Sequence, residues 1–175
     1  KTKNKHIMLS KEVEKILVEQ VEKEGYSSNL YLAMASWAET NGYEGISQWF
    51  YSQAEEEREH MLKIIGYINE RGGRALISGL EKPPVDYGTV KEAFQEVLKH
   101  EQFVTDSINN IVQVCIDEKD YTTHNWIQWF VTEQIEEEAS VGEIISKLKL
   151  VDNENGIFMI DAQLSERKLT NQVNV

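Results

Sequence analysis

Cysteine occurs once and proline only twice in 175 residues, and glycine is present ten times. No stretch approaches the roughly 18 consecutive apolar residues that a membrane-spanning helix needs. The single thiol, Cys115, cannot form an intrachain disulfide and suits a reducing compartment, so a cytoplasmic location is expected. The first residues, KTKNKHIMLSKE, are basic but lack the apolar centre of a signal peptide, and Met8 could be an internal start. Basic side chains are also in short supply: Lys and Arg number 18 against 30 Asp and Glu, a net charge of −12. That balance disfavours nucleic acid and anionic membranes and favours cations as partners. The length suits one domain, spanning 1–175, with a sizeable buried core.

The two prolines are adjacent, Pro83 and Pro84, inside the turn-rich stretch RGGRALISGLEKPPVDYGT. Positions 72–89 therefore read as a long connection. Shorter breaks at Thr40-Asn41-Gly42, Asp117 to Asp120 and Asp152 to Gly156 leave four long helical segments, about 10–39, 45–71, 89–117 and 121–150. A short helix follows at about 157–168. Ser10 is suited to cap the first helix, and Thr89 with Glu92 forms a capping-box pattern at the third. Helices of this length are about 40 Å long, a bundle dimension. Two short connections and one long central one imply an all-α four-helix bundle, with a crossover between the second and third helices. No strand-like alternation competes with this reading.

Positions seven apart share a helix face, and four such lines carry the functional signal. They read Leu17-Glu24-Tyr31-Ala38, Phe50-Glu57-Ile64, Phe94-Glu101-Ile108-Cys115 and Phe130-Glu137-Ile144. Each core stripe thus holds one glutamate between large apolar residues. A lone buried carboxylate is costly or protonated, so four at one depth call for a shared cation. Two neighbouring lines add His60 three residues after Glu57 and Gln134 three residues before Glu137, on the same faces. Glutamates from two helices with Glu-x-x-His from the others are the building plan of di-iron carboxylate bundles. The oxygen and imidazole donors suit iron or manganese better than a thiolate-preferring metal. Glu55 and Glu59 read as solvated charge and Cys115 as a packed core thiol. Tyr31 is either a core aromatic or a phenol that serves the metals. His100 and His124 read as surface or partner-contact residues, and His6 falls in a terminal segment expected to be loose.

The motifs EGYSSNLY (24–31), AEEEREHM (54–61), KHEQ (99–102) and FVTEQIEEE (130–138) resemble, in order and spacing, those of prokaryotic non-haem ferritins. The resemblance spans about Met8 to Leu169. It implies a ferritin-like bundle whose first iron site is Glu24, Glu57 and His60, and whose second is Glu57, Glu101 and Glu137. Glu57 would bridge the two, with Gln134 and Tyr31 beside them. It further implies a third iron site from Glu56, Glu133 and Glu136, with Glu137 shared. The last long helix carries Gln134-Ile135-Glu136-Glu137 in place of the second Glu-x-x-His of bacterioferritins. Arg58 stands where those proteins place a haem-ligating methionine, so no haem is expected. One cysteine cannot supply a rubredoxin-type iron site. The tail FMIDAQLSERKL resembles the fifth helix around the four-fold axes of ferritin cages.

The resemblance implies iron storage and detoxification: oxidation of Fe(II) by oxygen or hydrogen peroxide, with ferric mineral held inside a shell of 24 chains. Asp117, Glu118 and Asp120 are positioned either to line an iron pore or simply to form a solvated turn. Two other readings predict different behaviour. A non-storing di-iron oxidoreductase that consumes peroxide or an organic substrate would be a monomer or dimer. A structural module without metal would gain no stability from added Fe(II) or Zn(II).

Overall fold

A computed structural model describes residues 9–151 and 153–172, with side chains described as far as Ser165. His6 and Met8 lie outside the described residues. Among the described residues there are five helices: α1 (Lys11–Thr40), α2 (Glu44–Glu70), α3 (Val90–Asp117), α4 (Tyr121–Lys149) and α5 (Glu154–Gln172). The four long helices fall within a residue of the expected limits. α5 is longer than expected at both ends. Among the described residues there is no strand, and no helix is long and apolar enough to cross a membrane.

The caps explain the boundaries. Ser10 accepts a hydrogen bond from the Val13 amide at 3.2 Å, and Thr89 and Glu92 form the complete capping box of α3. Asp120 caps α4 by accepting from Thr123 at 3.0 Å, and its carboxylate also pairs with Arg71 at the end of α2, 3.4 Å away. This corrects the pore reading of the turn for Asp120, whose oxygens are committed to α4 and to Arg71. Asp117 accepts a hydrogen bond from Gln113 within α3. Lys119 between them has φ 56°, in the left-handed region that tightens the turn between α3 and α4.

α2 begins differently. Its N-cap, Tyr43, makes no side-chain cap. Instead Asp161, a buried carboxylate on α5, accepts from the Ile46 amide at 2.8 Å. Gly45 permits that approach, since a Cβ there would sit 1.8 Å from the Asp161 carbonyl oxygen. A charge at the positive end of α2 and a glycine beside it thus tie the fifth helix to the bundle.

The long connection, 71–89, runs along α1 rather than looping into solvent. The Arg74 amide bonds to Glu14, the Ser78 hydroxyl bonds to Glu22, Leu80 lies against Gly25, and Tyr87 meets Trp37 edge-on. Those contacts progress from the start of α1 to its end, about 35 Å at 1.5 Å per residue. α2 and α3 are therefore parallel, as the crossover topology requires.

The core comes in two blocks. One gathers Tyr31, Phe50, Phe94 and Ile144, with Phe50 stacked on Phe94 at 5.2 Å. The other gathers Leu17, Ile64, Ile108, Ile127 and Phe130, and is extended by Tyr67 stacked on Trp126 at 3.8 Å. Between the blocks lies a buried polar layer of Gln20, Glu24, Glu57, His60, Glu101, Gln134 and Glu137.

The junction between α2 and α5 makes a prediction. Asp161→Ala removes the charge that caps α2 and should lower stability by about 1–2 kcal/mol, the usual scale for a cap. Gly45→Ala should free α5 from the bundle. Calorimetry and limited proteolysis of α5 would register both; an unchanged melting temperature and cleavage pattern would contradict the docking.

Candidate metal centre

Each long helix delivers one carboxylate to the polar layer because its apolar stripe is interrupted once, at matched depth. Glu24, Glu57, Glu101 and Glu137 are each at most 4 % exposed. His60, one turn after Glu57, turns its Nδ1 toward two of them, 3.7 Å from Glu57 Oε2 and 4.0 Å from Glu24 Oε2. These three residues offer ligand atoms that all lie within 4.8 Å of one another. Both facing oxygens, Glu24 Oε2 and Glu57 Oε2, are buried without a hydrogen-bond partner. A buried carboxylate oxygen left unpartnered is costly, and two converging on one imidazole nitrogen describe a site built for a cation.

The other carboxylates are held differently. Tyr31 donates to Glu101 Oε1 in a short hydrogen bond, and Gln134 Nε2 reaches Glu101 Oε2 at 3.3 Å. Gln53 donates to Glu137 Oε2 at 2.8 Å, and Gln20 donates to Glu24 Oε1 at 2.8 Å. Three of the four carboxylates thus spend an oxygen on an amide or phenol donor. Glu57 alone has no such donor among the hydrogen bonds of the layer, as suits a residue that faces its neighbours on both sides. Glu57, Glu101 and Glu137 are not drawn into as tight a group as the first three.

A second close group forms towards the surface, from Glu56, His60, Glu133 and Glu137, again with ligand atoms within 4.8 Å of one another. Glu56 and Glu133 were expected there. Glu136 is exposed and stays outside the group, though near enough to repel Glu56. This cluster opens onto a cavity of about 520 Å³ lined by Glu56, Glu59, His60, Lys63, Trp129 and Glu133. Trp129 packs edge-on to His60 at 5.4 Å, and the Lys63 ammonium lies 3.7 Å from the indole centroid.

Sequence reasoning missed Gln20 and Trp129. Gln20 sits four residues before Glu24, the spacing at which one side chain meets another on the same helix face, and that was the available signal. His100, expected at the surface or a partner contact, is half-buried at the edge of the bundle. It packs against Tyr26 and Phe103 and bonds to Ser27 Oγ at 2.7 Å, and burial pulls it down to about 4. Cys115 is a buried thiol, pushed up to about 11 by burial, as expected of a core residue. Arg58, at the position discussed for haem, is exposed.

Without a cation the layer holds protons. Burial first, then repulsion from Glu57, raises Glu24 well above the ordinary carboxylate range. Burial and the charge of Glu101 do the same for Glu57. Burial raises Glu101 against the opposing bonds from Tyr31 and Gln134, and burial with Glu101 and Glu56 raises Glu137 to about 8. A carboxyl raised on folding keeps its proton where the unfolded chain has lost it. Its contribution to stability is therefore complete below about 4.5 and is lost as the pH climbs through the folded value, for Glu137 through about 8. The metal-free protein should accordingly melt at progressively lower temperature between pH 5 and 8, by ~2 °C or more per kcal/mol lost. Added Zn(II) or Fe(II) should remove that slope and release protons into a weakly buffered solution. A flat profile in metal-free protein would contradict this charge balance.

Comparison with known proteins agrees with this geometry. The family description "Ferritin-like domain" matches residues 14–151. A bacterial non-heme ferritin of Campylobacter jejuni is 39% identical over 164 residues, 93% of this chain and 98% of that protein. One from Escherichia coli O6:H1 is 38% identical over 159 residues, 90% of this chain and 96% of that one. The open pore ferritin of the archaeon Archaeoglobus fulgidus superposes with a TM-score of 0.88 at 38% identity, covering 90% of this chain and 96% of its own. Fold, buried carboxylate layer and relatives point the same way: the chain belongs to the ferritin family and is similar along most of its length to the bacterial non-haem ferritins.

Proposed function

We propose that this protein stores iron and is a ferroxidase, oxidising Fe(II) to Fe(III) at the carboxylate layer and holding the product as ferric mineral inside a closed shell of 24 chains. Family membership supports iron storage in general. The observation that carries the oxidation step is the pair of unpartnered buried oxygens, Glu24 Oε2 and Glu57 Oε2, beside His60 Nδ1.

In this reading Fe(II) is the substrate. One ion is received by Glu24, Glu57 and His60, and a second by Glu57, Glu101 and Glu137. Glu57 is suited to the bridging place because no amide or phenol donor occupies it. Two ferrous ions supply two electrons, which dioxygen or hydrogen peroxide accepts. Hard carboxylate oxygens favour the ferric product. The donors on the outer carboxylates fix their direction: Gln20 on Glu24, Tyr31 and Gln134 on Glu101, Gln53 on Glu137. Tyr31, buried and hydrogen-bonded to Glu101, keeps its proton well above the ordinary phenol range, first through burial and then through that carboxylate's charge. The Glu56, His60, Glu133 and Glu137 group, open to a cavity, is placed to receive a third ion or to pass ferric iron onward.

Assembly is supported by apolar side chains on the outside of one chain. Leu76, Ile77, Leu80 and Val85 on the crossover connection are exposed, as are Phe158 and Met159 on α5. Patches of this kind mark association surfaces. A shell of identical chains would cover them and create the mineral space, and the work of a storage protein would place it in the cytoplasm.

Two outcomes follow. Glu57→Ala with His60→Ala should abolish the fast phase of Fe(II) oxidation in stopped flow. The loss should exceed roughly 100-fold, the upper end of what losing a residue that merely supports a ligand costs. Retention of the fast phase would overturn the assignment. Native mass spectrometry should show a 24-chain particle; a stable monomer or dimer would favour the non-storing oxidoreductase.

A further inference from the structure

The first cation site has a support that begins on the far side of α1. Lys23 Nζ donates to Ser107 Oγ at 2.5 Å, and Ser107 Oγ donates to Gln20 Oε1 at 2.6 Å. Gln20 Nε2 then donates to Glu24 Oε1 at 2.8 Å. Three residues come from α1 and one from α3, so the chain also staples these two helices at the depth of the polar layer. Gln20 is fully buried, Ser107 and Glu24 nearly so, and Lys23 is the half-buried end, with its ammonium 5.6 Å from the centre of the Phe103 ring.

The two ends of this chain favour one direction. An ammonium donates and never accepts, so the Ser107 oxygen must take its hydrogen bond from Lys23 and spend its own proton elsewhere. That proton goes to the Gln20 carbonyl, which turns the Gln20 amide nitrogen toward Glu24. Reversing the amide would set carbonyl oxygen against carboxylate oxygen whenever Glu24 is ionised, as it is with a cation bound, and would take the Gln20 carbonyl away from the Ser107 proton. Lys23, though it never touches the site, occupies one lone pair of Ser107 and so favours the arrangement in which a donor faces Glu24 Oε1. The other oxygen of the same carboxylate, Oε2, is left buried, unpartnered and 4.0 Å from His60 Nδ1.

We propose that Lys23, Ser107 and Gln20 are positioning residues that make Glu24 a one-oxygen ligand of the first cation site, occupying Oε1 and presenting Oε2. This rests on the reading of Glu24, Glu57 and His60 as that site. It goes beyond it by assigning the denticity of one ligand to a polar chain anchored on a half-buried lysine. Glu57 lacks a comparable donor and keeps both oxygens for neighbours, which separates the bridging carboxylate from this terminal one. Residues that orient metal ligands in this manner change affinity by about 10- to 100-fold when removed.

The test is titration of the metal-free protein with Zn(II) alone by calorimetry, and with Co(II) alone by visible absorption, in the assembled full-length protein. Gln20→Met keeps the side-chain shape and removes the donor. It should weaken the site that contains Glu24 about 10- to 100-fold and alter its Co(II) spectrum, because Glu24 is free to chelate with both oxygens. Lys23→Met should give a smaller loss, about 2- to 10-fold, the size of one hydrogen bond. Lys23→Arg and Ser107→Thr, which keep donor and hydroxyl, should restore the parent values. Lys23→Met is the variant that guards against a folding defect, since Lys23 is not part of the sealed layer. Unchanged Zn(II) affinity and Co(II) spectrum in Gln20→Met, or the same loss in Ser107→Thr as in Ser107→Ala, would overturn the proposal. Failure of the parent protein to bind Zn(II) or Co(II) in the layer would instead sink the site reading on which it stands.

Discussion

Four carboxylates buried at one level of a helical bundle repel one another and are starved of water, and the rest of this structure is arranged around that conflict. Two long apolar blocks, above and below, hold the helices together firmly enough to tolerate an unfavourable middle. Neutral amide and phenol donors take one oxygen each from Glu24 and Glu137 and both from Glu101, easing part of the cost. What remains, at Glu24 Oε2 and Glu57 Oε2, is answered only by a proton or a cation. Stability is thereby exchanged for the ability to take up a metal, a trade expected of a functional layer.

The surrounding architecture serves that layer. The crossover connection lies along α1 and fixes it laterally, with Leu80 against Gly25, the residue next to Glu24. α5 reaches back to cap α2, the helix that carries Glu57, His60 and Glu56. The Arg71 to Asp120 pair joins the end of α2 to the start of α4, near Tyr67 and Thr123. The last two ties lie at helix ends, while the Leu80 contact steadies the middle of α1 beside Glu24.

Much of this was legible in the chain because helices encode their inward face with a fixed period. The interruption of apolar lines by Glu24, Glu57, Glu101 and Glu137 locates the layer, and Thr89 with Glu92 announces the start of α3. What escaped is long-range. Asp161 caps a helix 115 positions earlier in the chain, and no local pattern announces it. Asp120 looked like a free acidic turn residue because Arg71, its partner, lies across the bundle. His100 looked exposed because a histidine flanked by Lys99 and Glu101 gives no sign that it packs between Tyr26 and Phe103. Gln20 went unnoticed, since its importance depends on Ser107 from another helix. The third group is a mixed case: Glu56 and Glu133 converge as the motif implied, while Glu136, on the same helix as Glu133, turns outward.

The central claim is that the buried layer receives iron. Anomalous diffraction at the iron edge, from crystals soaked anaerobically in Fe(II), tests it most directly. The account predicts a peak enclosed by Glu24, Glu57 and His60, with Glu24 contributing one oxygen, and a second peak beside Glu101 and Glu137. Iron found only on exposed carboxylates, with the layer empty, would contradict it.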